Sequence, residues 1–200
     1  MPRTETPGHG FLLVLASPSP MDEGEFNAWY DTEHVPERVA VPGFLTGLRY
    51  VAIDGYPKYL AHYDMEAPEV LDGPDYLAVS GANFGPWTRR VTSNTKVDRS
   101  VGRQIWPGDA VLDLAPRLRL IRFDIALTEA MELVECVRTI AGDDETGTRT
   151  AMVLQSKDPL RHYVLISATF CLPDHAFLPR FGRLATKIVQ HNIYAPYIRA

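Results

Sequence analysis

The chain has 200 residues, of which 46% are hydrophobic and 22% are charged, and its formal net charge is −5. This composition is typical of a globular protein and excludes a disordered, collagen-like or coiled-coil chain. The acidic balance provides no field that attracts phosphate backbones or anionic lipid headgroups, so we expect neither nucleic acid nor a membrane as a partner.

Cysteine usage and hydropathy indicate the compartment. Cys136 and Cys171 lie far apart in apolar contexts, and the sequence shows neither a secretory signal pattern nor an apolar run near eighteen residues. The sequence therefore predicts a cytoplasmic protein with two free thiols, with a disulfide between them as the alternative.

The first half of the sequence predicts elements in the order βαββαβ. A buried strand is predicted over 11–16, followed by a helix with Ser19 as its N-cap, Pro20 at its first position and a break at Pro36. The remaining elements are a hairpin of two strands, a broken helical segment and a last strand, predicted over 45–53, 59–66, 68–79 and 95–105.

The same order recurs in the second half, about 100 residues later. Strands are predicted over 118–125, 148–155, 162–170 and 193–198, and helices over 127–140 and 176–191.

This duplication predicts an α+β fold of two ferredoxin-like units, 1–105 and 106–200, with 106–110 as the linker. A βαββαβ unit covers only one face of its antiparallel sheet with helices. Two such sheets packed face to face would bury each other's open side and form an intrachain α/β barrel. The alternative is a single α+β domain with eight strands in another order.

The segment 26–38 concentrates side chains that are suited to chemistry. On a helix with 3.6 residues per turn, Trp29, Tyr30 and Glu33 share one side, and His34 follows Tyr30 by four residues. A carboxylate therefore shares an apolar stripe, which is unusual because a buried carboxylate without a partner is unfavourable or takes up a proton. The alternative is that the aromatic residues are core and that Glu33 and His34 bind nothing.

The sequence does not decide the partner of Glu33 or the direction in which the pKa of His34 is shifted. Glu33 needs a partner, and Arg38, Arg49 or a backbone amide in the loop 41–43 could each provide one. The pKa of His34 is also undecided, because a helix C-terminus raises the pKa of an imidazole and burial lowers it.

The predicted hairpin carries a second group of aromatic residues. Tyr59 and Tyr63 lie on one face of their strand, His62 and Asp64 lie on the other, and Tyr50 is on the paired strand. If the tyrosine face looks toward the first helix, a space suited to a planar ligand would be lined by Trp29, Tyr30, His34, Tyr50, Tyr59 and Tyr63. The alternative is that the tyrosines fill core and bond the backbone.

Several motifs between residues 10 and 105 resemble an EthD-like bacterial branch of the dimeric α/β-barrel superfamily. They are the runs 29–36 (WYDTEHVP), 42–44 (PGF), 49–50 (RY), 57–60 (PKYL), 76–78 (YLA) and 86–89 (PWTR). The resemblance marks as pattern positions Trp29, Glu33, His34, Pro36, Tyr50 and Tyr59. The second-half helix, 128–138, has no histidine, tryptophan or proline break, so the resemblance implies one site per chain.

The resemblance also implies a range of activities. Members of the superfamily include muconolactone-type isomerases, polyketide cyclases, decarboxylases, cofactor-free monooxygenases of aromatic polyketides and haem-handling enzymes. The fold analogy therefore names a type of ligand, a small aromatic or lactone molecule, better than it names a reaction.

The main hypothesis is a cofactor-independent isomerase, cyclase or decarboxylase. His34 would be the general acid or base, Glu33 would orient it, and the hydroxyls of Tyr59 and Tyr63 would hold an enolate-like oxygen. Further substrate contacts are predicted at Trp29, Tyr30, Arg38, Tyr50 and His62. The alternatives are a monooxygenase or haem-binding member of the same superfamily, and a barrel without catalysis. A monomer and a homodimer are both compatible with this sequence.

Common cofactor motifs are absent from the sequence, including a phosphate loop, a Gly-x-Ser-x-Gly elbow, His-Glu-x-x-His and paired Cys-x-x-Cys. We expect no metal, because the side chains of Glu33 and His34 diverge by about 100° on a helix. We expect no cofactor, with haem ligation by His34, His62 or His162 as the alternative.

Overall fold

The computed structural model describes residues 8–198. Its eight antiparallel strands are β1 Gly10–Pro18, β2 Leu48–Asp54, β3 Tyr59–Met65, β4 Thr95–Trp106, β5 Arg117–Phe123, β6 Thr148–Lys157, β7 Leu160–Ala168 and β8 Ile188–Pro196. They form one closed barrel in the order β1-β3-β2-β8-β5-β7-β6-β4, and β4 pairs with β1. The predicted α+β fold, two ferredoxin-like units combined in an intrachain barrel, is confirmed.

Between residues 8 and 198, six short helices accompany the barrel: α1 Glu23–Trp29, α2 Val35–Val39, α3 Pro74–Ala78, α4 Pro86–Ser93, α5 Ala130–Ala141 and α6 Asp174–Phe177. Single 3₁₀ segments cover 68–72, 81–83, 127–129, 144–146 and 178–187. None of the helices within 8–198 has the length and apolar character needed to cross a membrane. Cys136 and Cys171 are both free thiols.

Alternation along the strands divides the core into layers. On β1, Phe11, Leu13 and Leu15 point into the barrel, whereas Leu12 and Val14 pack on the outside against the helical layer of the first half. This strand is buried on both faces, which explains its continuous apolar run. A separate outer layer, formed around α5, covers the second half.

The first helix departs from its prediction at both ends. Ser19 closes a turn through its carbonyl oxygen, which accepts from Asp22 N at 3.1 Å, and α1 begins only at Glu23. Pro36 does not break the helix: a π-helical turn over Tyr30–His34 joins α1 to α2, and Pro36 lies in the first turn of α2. Because proline has no N–H to donate, the early turn of a helix tolerates it.

The last predicted helix, over 176–191, is wrong. The chain forms only the four-residue α6 and a 3₁₀ segment interrupted at Gly182, where φ is 54° and ψ is −131°. Strand β8 then begins at Ile188 and pairs with both β2 and β5, so sheet pairing outweighs the helical pattern there. Helix α4 was not anticipated in the sequence.

Candidate functional site

A cavity of about 130 Å³ lies between the outer face of the sheet and the helices of the first half. Its walls come from β1 and β4 on one side and from α1, the π-helical turn, α2 and α4 on the other. The residues on which the site's chemistry depends are Phe26, Trp29, Tyr30, His34 and Arg38. We call this space the His34 cavity.

The π-helical turn brings the aromatic wall together. The imidazole of His34 lies with its ring centre 4.3 Å from that of Trp29, at an interplanar angle of 30°, and 5.1 Å from that of Tyr30, edge to face. Phe26 packs against Tyr30 at 4.9 Å. π-Helical turns inside helices are frequent at functional sites, and this one fixes the orientation of the imidazole.

Glu33 anchors this wall indirectly. The indole Nε1 of Trp29 donates to Thr88 Oγ1 at 2.9 Å, and the Thr88 hydroxyl donates to Glu33 Oε1 at 2.8 Å. The partner of Glu33 is therefore a hydroxyl on α4, and the expectation of Arg38, Arg49 or a loop amide is wrong. The carboxylate positions Trp29 through Thr88.

The imidazole of His34 is uncharged at neutral pH. Burial lowers its pKa, and the positive charges of Arg38 and Arg49 lower it further, to about 3. The helix continues beyond His34, so the C-terminal carbonyls that would stabilise an imidazolium are not there. Its Nδ1 atom is buried and has no hydrogen-bond partner within 8–198. His34 can thus exchange hydrogen bonds with a ligand but is a weak base.

Arg38 is the most deeply buried cation of the cavity wall, with 1% of its side chain exposed. Its Nη2 donates to the carbonyl oxygen of Val79 at 2.8 Å. The guanidinium carbon lies 5.2 Å from the ring centre of Tyr76 and 5.9 Å from that of Phe84, distances typical of cation–π contacts.

A second buried arginine stands behind the wall. Arg49 Nη2 donates to Asn27 Oδ1 at 2.6 Å, and Nη1 pairs with Asp31. Its guanidinium carbon lies 4.5 Å from the ring centre of Tyr30 and 4.4 Å from that of Tyr197. Asn27 and Asp31 were missed in the sequence, although their spacing of four residues places them on one side of the helix.

Two of the predicted tyrosines face the helices but do not line the cavity. The hydroxyl of Tyr59 accepts from Asn27 Nδ2 at 2.9 Å and donates to Glu23, and burial raises its pKa to about 12. Tyr63 is fully buried, which raises its pKa, and its hydroxyl has no partner among the described residues. Neither hydroxyl reaches the His34 cavity.

Tyr50 and His62 lie inside the barrel, so the expectation that Tyr50 shares a space with Trp29 is wrong. Tyr50 pairs directly with Leu60, and directly opposed residues share a face, which places Tyr50 on the interior side. His62 Nε2 and Asp64 Oδ1 are 2.9 Å apart in the same interior. His62 is fully buried and does not line the cavity.

A wider groove of about 610 Å³ adjoins the cavity. It runs between β4 and the segment 68–84 and reaches the turn between β6 and β7. The groove and the cavity share three wall residues, Tyr76, Phe84 and Arg99. A ligand whose ring occupies the cavity can therefore extend into the groove.

Comparison with known proteins defines the class of fold. No family model and no curated protein matches the sequence. Among solved structures, an anthrone oxidase-like protein aligns with a TM-score of 0.67 and 11% identity, covering 97% of this chain and 93% of its own. A candidate monooxygenase from Lactobacillus acidophilus aligns with a TM-score of 0.57 and 12% identity, covering 95% and 93%.

A haem-binding protein from Thermus thermophilus aligns with a TM-score of 0.56 and 8% identity, covering 96% of this chain and 92% of its own. At these identities the likeness shows the fold alone. The chain has the fold of the dimeric α/β-barrel proteins, with both ferredoxin-like units in one polypeptide.

The His34 cavity by itself does not fit haem. An apolar cavity of about 150 Å³ holds a single benzene ring, and the His34 cavity measures about 130 Å³, far too little for a porphyrin. The groove has no histidine among its described wall residues. His62 and His162 are almost completely buried and line neither space.

Proposed function

We propose that this chain is a cofactor-independent monooxygenase that oxidises an electron-rich aromatic compound with molecular oxygen. The observation that carries the proposal is a cavity with aromatic walls, sized for one ring, with an uncharged imidazole and a buried guanidinium at its edge. The names of two structural neighbours, an anthrone oxidase-like protein and a candidate monooxygenase, support the same type of reaction.

The isomerase, cyclase or decarboxylase hypothesis is less well supported. It needs His34 to take up a proton near neutral pH, and a catalytic base works best when its pKa lies near the working pH. With the pKa lowered to about 3, His34 is poorly suited to that role. Oxidation makes a smaller demand on the imidazole, because the activated methylene loses its proton to solvent and His34 only hydrogen-bonds the conjugated oxygen that then carries the negative charge.

The reaction balances with the substrate as the only reductant. An activated ring methylene loses two hydrogens and gains one oxygen atom as a carbonyl, and the second atom of O₂ leaves as water with those two hydrogens. The methylene supplies all four electrons, so no external reductant is required. Trp29, Tyr30 and Phe26 hold the ring.

The space available indicates the size of the substrate. The cavity accepts one ring, and the groove of about 610 Å³ beyond Tyr76 and Phe84 offers room for the rest of a larger molecule. We therefore propose a polyketide-like aromatic substrate, bound with one ring in the cavity beside His34 and the rest of the molecule in the groove. We assign the chain to the EthD-like branch on the motifs 29–36 and 42–44, with ferredoxin-like units over 1–105 and 106–200.

The test measures oxygen consumption by purified protein with anthrone and no added cofactor or metal. We expect consumption of one O₂ per carbonyl formed, and a loss of at least tenfold in His34→Ala, since one positioned hydrogen-bond donor contributes about 10²- to 10³-fold to a rate. The matched control is His175→Ala, which removes an exposed imidazole in the second half.

Three results would count against the proposal. An anaerobic rearrangement of a lactone or polyketide substrate at His34, without oxygen uptake, would favour the isomerase hypothesis. Stoichiometric binding of added haem with a Soret band would favour the haem-binding alternative, which one structural neighbour's name supports. A full rate in His34→Ala would remove that residue from the mechanism.

A further inference from the structure

Arg38 carries a hydrogen-bond donor that the described residues leave unused. Its Nη1 atom is buried and has no hydrogen-bond partner within 8–198, whereas Nη2 donates to Val79. Glu37 Oε2 lies 3.8 Å from Nη1, which is beyond hydrogen-bonding distance. A buried charged donor without an acceptor is unfavourable, so a ligand that supplies the acceptor gains binding free energy.

No nearby carboxylate reaches Arg38 Nη1 within hydrogen-bonding distance among the described residues. Glu33 accepts from Thr88, and one carboxylate oxygen of Asp31 pairs with Arg49. The cavity walls contain no aspartate or glutamate among the described residues. The described wall therefore leaves Arg38 Nη1 available to a ligand, and an anionic oxygen satisfies a guanidinium better than a neutral one.

We propose that the His34 cavity selects aromatic ligands that carry an oxyanion, either a carboxylate or a phenolate, and that Arg38 Nη1 binds this oxygen. This inference rests on the proposed function in one respect, that the cavity accepts an aromatic ring. It adds the charge of the ligand and the residue that recognises it. Arg38 is fixed by Val79 and by the rings of Tyr76 and Phe84, so little side-chain freedom is lost on binding.

The experiment compares matched ligand pairs on the full-length wild-type protein by calorimetry. Benzoate is compared with benzamide, and 4-nitrophenolate with 4-nitroanisole, at a pH where the first member of each pair is ionised. A hydrogen bond to a charged group contributes about 1.5–3 kcal/mol and an ordinary one about 0.5–1.5 kcal/mol, so the anion should bind about 5- to 10-fold more tightly than its neutral analogue. The two pairs distinguish a carboxylate preference from a phenolate preference.

Variants then assign the preference to Arg38. Arg38→Met keeps an apolar stem of similar length and should abolish the preference for the anion, so that benzoate and benzamide bind with affinities within about threefold of each other. Arg38→Lys keeps the charge and should retain part of the preference. Arg90→Met is the matched control, because it removes an equal charge from α4 at a position that is exposed and paired with Glu25.

The possible outcomes separate failure of this inference from failure of the proposed function. Equal affinities for anion and neutral analogue in the wild type would overturn the inference while leaving aromatic binding, and hence the proposed function, intact. Failure of all four ligands and of anthrone to bind would overturn both. If Arg38→Met does not fold, the wild-type pairs and Arg38→Lys still decide. An anion preference that persists in Arg38→Met, or falls equally in Arg90→Met, would also overturn the assignment.

Discussion

The indole of Trp29 lies between two polar partners of different kinds: its ring faces the imidazole of His34 at 4.3 Å, and its Nε1 donates to Thr88 at 2.9 Å. The hydrogen bond from Trp29 to Thr88 therefore fixes the indole, and with it this part of the cavity wall, relative to α4. Because Thr88 in turn donates to Glu33, one short chain of hydrogen bonds holds α4 against the π-helical turn.

Removing the middle of this chain should loosen the wall. Thr88→Val preserves shape but leaves the buried Trp29 N–H and the Glu33 carboxylate without their partner, so we expect a loss of about 1–3 kcal/mol in the free energy of unfolding. Urea denaturation measures it. Thr186→Val, at an exposed position, is the control and should change stability by less than about 0.5 kcal/mol. Equal effects at both positions would argue against the chain of hydrogen bonds.

The lowered pKa of His34 predicts a pH dependence of stability with a definite sign. Between about pH 3 and 6.5 the unfolded chain binds a proton at this histidine and the folded chain does not, so stability falls as the pH is lowered through 6.5. His34→Gln should flatten this fall relative to the wild type. Urea denaturation at pH 7.5 and 5 measures how much the free energy of unfolding changes between these pH values in each protein. His162 and His191 also have lowered pKa values, but they contribute equally to this change in the wild type and in the variant.

Imidazole NMR provides an independent check on the same residue. We expect the ring resonances of His34 to stay unchanged between about pH 5 and 8, where an ordinary histidine titrates. An inflection near pH 6.5 that disappears in His34→Gln would show an imidazole in contact with water, and would restore the general-base hypothesis.

Two glycines with open surroundings should respond in opposite directions to alanine. No atom lies within 4 Å of a Cβ at either Gly182 or Gly24. Gly182 has a φ of 54°, so Gly182→Ala should destabilise the protein by about 1–3 kcal/mol through backbone strain. Gly24 lies in α1, where alanine is preferred, and Gly24→Ala should stabilise by about 0.5–1 kcal/mol. Thermal unfolding of both variants gives the comparison, and a stabilising Gly182→Ala would contradict the described turn.

The sequence was sufficient to predict the barrel. Strand periodicity is a local signal, and the repeated order of elements can be seen by comparing the two halves of the chain. The apolar run of β1 and the duplication at about 100 residues both report directly on burial and topology. The cavity was predicted only in part. Trp29, Tyr30, His34 and Arg38 line it because the helical spacing that groups them is also local.

The positions of the remaining site residues depend on strand register and on contacts between distant elements, which residue spacing along the chain does not reveal. The position of Tyr50 follows from the register of β2 with β3, where a shift of one residue exchanges the interior for the exterior. Thr88 lies on a helix that was not predicted from the sequence, so Glu33 had no visible partner. The π-helical turn at Tyr30–His34 likewise depends on tertiary packing, which overrode the break expected at Pro36.

The most direct test of the account observes the cavity wall itself while a ring binds. Anthrone, titrated into isotope-labelled protein, should shift the indole N–H resonance of Trp29 in a saturable manner, and the resonance is assigned by its loss in Trp29→Phe. Trp106, which packs in the outer layer of the second half, should be unaffected. An unshifted Trp29 resonance at saturating ligand, or equal shifts of Trp29 and Trp106, would contradict the claim that the His34 cavity binds the aromatic substrate.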